Sequence, residues 1–132
     1  MTNKEKYSQF CKSHPGVHAF NRAWWLDAVC GEENWDVLLV EEKDLIIAAM
    51  PIYKVKKNIS LPLLTQKMGP FIAYKSGIDE CKKQSIDKKV MTQLMEKLPN
   101  FDQFNVQFDN LITNWLPFYW KGFSQTTRYT YI

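Results

Sequence analysis

Gln103, Asn105 and Gln107 alternate with Phe104, Val106 and Phe108. Successive side chains of an extended chain point to opposite faces, so three amides share one face and three apolar groups the other. Each amide offers two donors and a two-lone-pair acceptor, enough to orient a polar or amine-bearing ligand. A parallel strand reached through a crossover helix is normally covered on both faces and reads as continuously apolar. The amide face therefore either meets water as a one-sided sheet or lines a polar groove, where strands of an α/β sheet diverge.

Other reactive side chains form no constellation. Glu96, Asp102 and Asp109 lie near helix and strand ends, yet no two are fixed by spacing as acid and base, and no catalytic residue can be named. Cys11, His14 and His18 suggest zinc, but Pro15 and Gly16 break the helix that would align them and a fourth ligand is lacking, so no metal is expected. The same residues give no nucleophile pair, for want of an orienting third group. Trp24, Trp25, Trp115, Tyr119 and Trp120 sit beside apolar neighbours at helical spacing, where aromatic rings usually pack in a core. Trp25 and Tyr119 are the rings to inspect for exposure, since aromatic groups with lysines nearby can stack on the bases of a tRNA. Arg128, between Thr126 and Thr130, has the chemistry of a carboxylate or phosphate clamp.

The elements that must carry these residues are readable. Ile86, Val90, Met91, Leu94, Met95 and Leu98 recur at steps of three and four, the stripe of a helix lying on a flat sheet. Ser85 is its expected N-cap, with an earlier start offered by Ser76 and Asp79, and Pro99 stops it at Leu98. Upstream, residues 4–13 predict a short helix with Tyr7 and Phe10 or Cys11 inward, ended by His14-Pro15-Gly16. Residues 19–29 predict a second, with Asn21 as cap and Gly31 as its closing glycine. Residues 37–41 and 45–53 predict an antiparallel hairpin across Glu42, Lys43 and Asp44. Pro51 cannot donate to a ladder and requires a bulge or an outward-facing position.

Residues 54–60 read as an exposed connection, 61–64 as a weak strand at best, and 71–74 as a strand entered through Gly69-Pro70. A helix from Thr113 or Asn114 to Trp120, closed by Gly122, and a strand over 127–131 complete the chain.

At 132 residues and 14% aromatic content the chain reads as one domain with a real core. A net charge of +3 permits an anionic ligand without pointing to nucleic acid. Three cysteines without framework spacing predict free thiols. Residues 1–7 carry no signal-peptide core, and the uncharged run 110–120 is too short to span a bilayer, so a cytoplasmic protein without a membrane span is expected.

The element order, α/β with antiparallel strands followed by a helical crossover, resembles an N-acetyltransferase-like (GNAT) fold. More narrowly, the chain resembles the N-terminal half of FemA/FemB-like aminoacyl or acyl transferases. The resembling stretches are Phe20-Asn21-Arg22-Ala23-Trp24-Trp25-Leu26, Ala49-Met50-Pro51-Ile52, Thr65-Gln66-Lys67-Met68-Gly69-Pro70-Phe71, Leu98-Pro99 with Phe101-Asp102, and Asn114-Trp115-Leu116-Pro117-Phe118-Tyr119-Trp120-Lys121-Gly122-Phe123.

The resemblance implies transfer of an acyl or aminoacyl group to a small-molecule or peptide amine, with acyl-CoA or aminoacyl-tRNA as a donor bound largely outside this unit. It implies that Gln103, Asn105 and Gln107 orient the acceptor while Lys67 and Arg128 attract anionic groups. Such transferases pair two units in tandem, and here the chain ends at Tyr131-Ile132, so the expectation is either the first half of a larger protein or a solitary half that binds without catalysis, alone or as a homodimer. The nearest match to a CoA pyrophosphate loop, Gln66-Lys67-Met68-Gly69-Pro70-Phe71, departs from the pattern: Pro70 removes an amide donor, Phe71 adds bulk, and a strand follows instead of a helix.

Overall fold

The structure, a computed structural model, describes residues 2–65, 67–74, 77–108 and 122–123. The helix expected up to Trp120, the strand expected over 127–131, and the side chains of Gln66, Tyr119 and Arg128 lie outside the described residues. Within them, three helices and a five-stranded mixed sheet form an α/β fold.

α1 (Asn3–Ser13) opens with a capping box: the Thr2 hydroxyl accepts from Glu5 N at 3.2 Å, and the Glu5 carboxylate accepts from Thr2 N at 3.0 Å. Tyr7, Phe10 and Cys11 are buried, as the spacing predicts. The single helix expected over 19–29 is instead a 3₁₀ turn (Ala19–Asn21) followed by α2 (Ala23–Cys30). The break falls at Arg22, which is extended at φ −75° and ψ 144°. Its guanidinium donates to Cys11 O at 2.8 Å and His14 O at 3.2 Å. A cation thus covers the carbonyl end of α1, where orphan acceptors and the helix dipole both favour it. Asn21 caps nothing and is buried, while Gly31, at φ 85°, closes α2 as expected.

β1 (Trp35–Glu42) and β2 (Leu45–Val55) pair antiparallel, with Ile47 as an extra residue where the register slips between Val40 and Glu41. Lys43 and Asp44 both have positive φ, 53° and 64°, so a two-residue turn of type I′ joins the strands without a glycine. The far side of β2 carries two short partners, β3 (Asn58–Ser60) against Lys54 and Val55, and β4 (Phe71–Ile72) against Ala48 and Ala49. An uninterrupted strand would bring Leu64 opposite Ala49; Phe71 stands there, so the intervening chain makes a detour of seven extra residues. Pro51 lies opposite that detour. Ile47 O accepts from Ala73 N at 2.9 Å, so main-chain groups of alternate residues 47, 49 and 51 face away from β1, and the donor that Pro51 lacks points into the gap between β4 and β3.

Residues 54–55 and 58–60 therefore belong to the sheet, and of the expected connection only the exposed turn at Lys56 and Lys57 remains. The single apolar side chain in Asn58-Ile59-Ser60, Ile59, is fully buried, and one residue is too few to display a strand period. The strand expected over 71–74 shortens to Phe71–Ile72.

α3 (Glu80–Glu96) crosses one face and leads into β5 (Gln103–Asn105), which pairs parallel with β3. It starts five residues before the expected cap: Asp79 is the N-cap, its carboxylate accepting from Lys82 N at 2.8 Å. The first turns are polar and exposed, so they leave no apolar stripe to read. Val90, Met91, Leu94 and Met95 are buried against the sheet as expected. Asp87, expected on the polar face, is buried and accepts from the Tyr74 hydroxyl.

Two apolar layers result. Tyr7, Phe10 and Leu26 pack on Val37, Leu39 and Ala49, while α3 packs on Leu38, Val40, Ala48, Met50, Ile52 and Ile59. The near-continuous apolar run of β1 follows from burial on both faces.

Candidate functional site

Ile59 and Phe104 are register partners in the parallel pair, and both join the α3 layer. Their neighbours face the other way by strand alternation, so Asn58 stands beside Gln103 and Ser60 beside Asn105 on the α1 and α2 side of the sheet. Asn58, Gln103 and Asn105 are exposed and Ser60 is half-buried. Two strands thus present a two-by-two array of neutral hydrogen-bonding groups. It has donors and acceptors for an amide, hydroxyl or amine, and it carries no charge to titrate.

Asn58 and Ser60 were missed because residues 54–60 read as a connection; their signal was the same polar–apolar–polar alternation, shortened to three residues.

The detour between β3 and β4 extends the site at one end. Met68 N donates to Gln107 O at 2.8 Å, which brings exposed Gln107 and half-buried Lys67 to neighbouring positions. Trp25 joins through Thr65: its indole Nε1 donates to Thr65 Oγ1 at 2.9 Å, and this hydroxyl donates to Leu63 O at 3.3 Å. Trp25 packs partly against the α1 and α2 layer, with Phe20 set edge-on at 5.2 Å and Trp24, 62% exposed, beside it. Gln103 and Asn105 lie on β5, which ends before Gln107 and so is shorter than the alternation through Phe108 predicts, whereas Tyr119 and Arg128 lie outside the described residues.

Pyrophosphate chemistry would require open amides in the 66–71 stretch. There Gly69 N donates to Asn21 Oδ1 at 3.3 Å and Met68 N is bonded to Gln107, so both amides already have protein acceptors.

Concavities lie at the opposite edge of the sheet. One of about 430 Å³ is lined by Lys4, Trp35, Asp36, Ile52, Lys54 and Pro99 among others, and one of about 370 Å³ by Asn3, Asp36, Leu39, Glu41 and Lys97 among others. None of the amide-bearing residues of β5 lines either.

The expected thiols and histidines are placed by packing. Cys11 and Cys30 are buried and Cys81 is exposed, all as free thiols. Burial pushes the Cys30 thiol up to about 11 and raises Cys11. The ring of His14 stacks on Phe10 at 4.0 Å, with Nδ1 2.9 Å from Phe10 O. Burial, then the adjoining Asp87 carboxylate, raises Tyr74. Among the described residues, no group of three or more His, Cys, Asp or Glu side chains could hold a metal ion, and no helix is long and apolar enough to cross a membrane. No protein-family model, curated protein or solved structure matches the chain.

Proposed function

We propose that this chain is the acceptor-side unit of a GNAT-like acyl or aminoacyl transferase of the FemA/FemB kind. The observation that carries the reading is the array of Asn58, Ser60, Gln103 and Asn105 on the β3–β5 parallel pair reached through α3. Transfer between two bound substrates gains most of its rate from positioning, and neutral amides can hold an amine acceptor without competing for its proton. Lys67 and Arg128 supply attraction for anionic groups, and Trp25 and Tyr119 supply apolar contact. The donor, acyl-CoA or aminoacyl-tRNA, binds largely on a second unit.

The test is a residue-resolved NMR titration with an alanyl-lysine dipeptide as amine probe. The reading expects saturable shifts of the side-chain amides of Asn58, Gln103 and Asn105, and none of comparable size with the N-acetylated, lysine-capped peptide. Absence of shifts at those amides overturns it.

A second reading, a non-catalytic binding module of the same fold, is supported by the engaged amides of Met68 and Gly69. Acetyl-CoA distinguishes a third outcome: saturable binding by this chain alone makes it an independent acetyltransferase.

A further inference from the structure

Resting on that reading and deepening it, we propose that Asn21 is a positioning residue for the acceptor site: it fixes where the Gln107 side chain stands at the end of the amide array, without touching the acceptor itself. Gln107 follows Asn105 on the same face by alternation, but the pairing of β3 with β5 stops at Ser60 and Asn105. The ladder that orients Asn58, Ser60, Gln103 and Asn105 therefore ends before Gln107, and other contacts must hold it.

Two contacts do so, and both come from Met68-Gly69. Gln107 O accepts from Met68 N at 2.8 Å. Its successor, Phe108, lies with its ring so close to Gly69 that a Cβ there would stand 2.5 Å from it. The main chain on both sides of the Gln107 side chain is thus set by one dipeptide of the detour.

Met68-Gly69 is in turn set by Asn21. The Asn21 side chain is buried and spans the glycine, with Nδ2 donating to Gly69 O at 3.0 Å and Oδ1 accepting from Gly69 N at 3.3 Å. Its main-chain carbonyl accepts from the buried Tyr7 hydroxyl, which anchors the clamp to α1. Being buried and committed through both polar atoms to a distant glycine, Asn21 acts on a ligand only through Gly69. A hydrogen bond is lost when donor and acceptor drift from about 3 Å to beyond about 3.5 Å, so a small shift of Met68-Gly69 takes Gln107 out of reach of an acceptor that Gln103 and Asn105 still hold.

The probe is an alanyl-alanyl-lysine tripeptide, whose extended length matches the roughly 13 Å that four residues of strand place between Gln103 and Gln107. Its affinity is measured by calorimetry for the parent chain, Asn21→Ser, Gln107→Ala and the double variant, each shown to be folded by its urea transition. Expected are about two- to tenfold weaker binding in each single variant, as loss of one hydrogen bond gives, and no further loss in the double variant. In NMR spectra the probe-induced shift of the Gln107 side-chain amide fades in Asn21→Ser, while those of Gln103 and Asn105 remain. Losses that multiply in the double variant mark a merely structural role and overturn the proposal, as does an Asn21→Ser chain that binds like the parent; either leaves the array itself standing. A parent chain that does not bind the probe overturns both. Should Asn21→Ser fail to fold, Gly69→Ala, which displaces the Phe108 ring from the other side, takes its place in the same cycle.

Discussion

Asn21 and Gly69 hold each other through two hydrogen bonds: Asn21 Nδ2 donates to Gly69 O at 3.0 Å, and Gly69 N donates to Asn21 Oδ1 at 3.3 Å. Asn21 O also accepts from the buried Tyr7 hydroxyl, so this one residue ties α1, the 3₁₀ turn and the detour before β4 together. Replacing Asn21 by leucine leaves a donor and an acceptor of Gly69 buried and unpaired, each costing about 1–3 kcal/mol. Asn21→Leu is therefore expected to lower stability by about 2–5 kcal/mol in urea unfolding, whereas a loss under 1 kcal/mol would mean that water or another group serves Gly69.

Gly69 is required for space as well. A Cβ at this position would meet the Phe108 ring at 2.5 Å, a separation that forces movement. Gly69→Ala is expected to destabilise by about 1–3 kcal/mol as an overpacked site. Phe108→Leu in the same chain should recover part of that loss, and a double-mutant cycle by urea unfolding measures the coupling.

The β1–β2 turn stores strain that a substitution can release. Asp44 adopts φ 64°, and Lys43 adopts 53°, in a turn that favours Asn-Gly. Asp44→Gly is expected to stabilise by up to about 1 kcal/mol, since relief of the left-handed conformation outweighs the added freedom of the unfolded chain. The check is the thermal midpoint, which should rise by a few degrees; a fall would show that the Asp44 side chain matters more than its backbone.

Alkaline pH should weaken the fold through Cys30. Burial raises its thiol from the ordinary 9.0 to about 11. A group raised on folding stabilises fully below its unfolded value, and that contribution is lost as pH climbs through the folded value. The loss runs from about pH 9 to about pH 11 and amounts to on the order of 2 kcal/mol. Cys11 and Tyr7, raised chiefly by burial, act in the same sense. Stability of Cys30→Ala, followed by urea unfolding from pH 8 to 11, should decline less steeply than that of the parent chain; parallel curves would remove Cys30 from the account.

Long periodic patterns were legible from sequence alone. The α3 stripe, the inward residues of α1 and the alternation from Gln103 to Phe108 all describe the observed faces. Features set by distant partners were not. The break at Arg22 depends on the carbonyls of Cys11 and His14, and the burial of Asp87 depends on Tyr74. β3 escaped notice because three residues with one buried side chain carry too little period, and its loss hid half of the polar array.

The most direct test of the acceptor array is a calorimetric titration of the alanyl-lysine probe into the parent chain and the Gln103→Ala/Asn105→Ala variant. Both side chains are exposed, so the variant should unfold at the parent's urea midpoint. The account predicts at least about fivefold weaker binding by the variant, as loss of two hydrogen bonds worth about 0.5–1.5 kcal/mol each would give. Undiminished affinity in a variant that folds normally would contradict it.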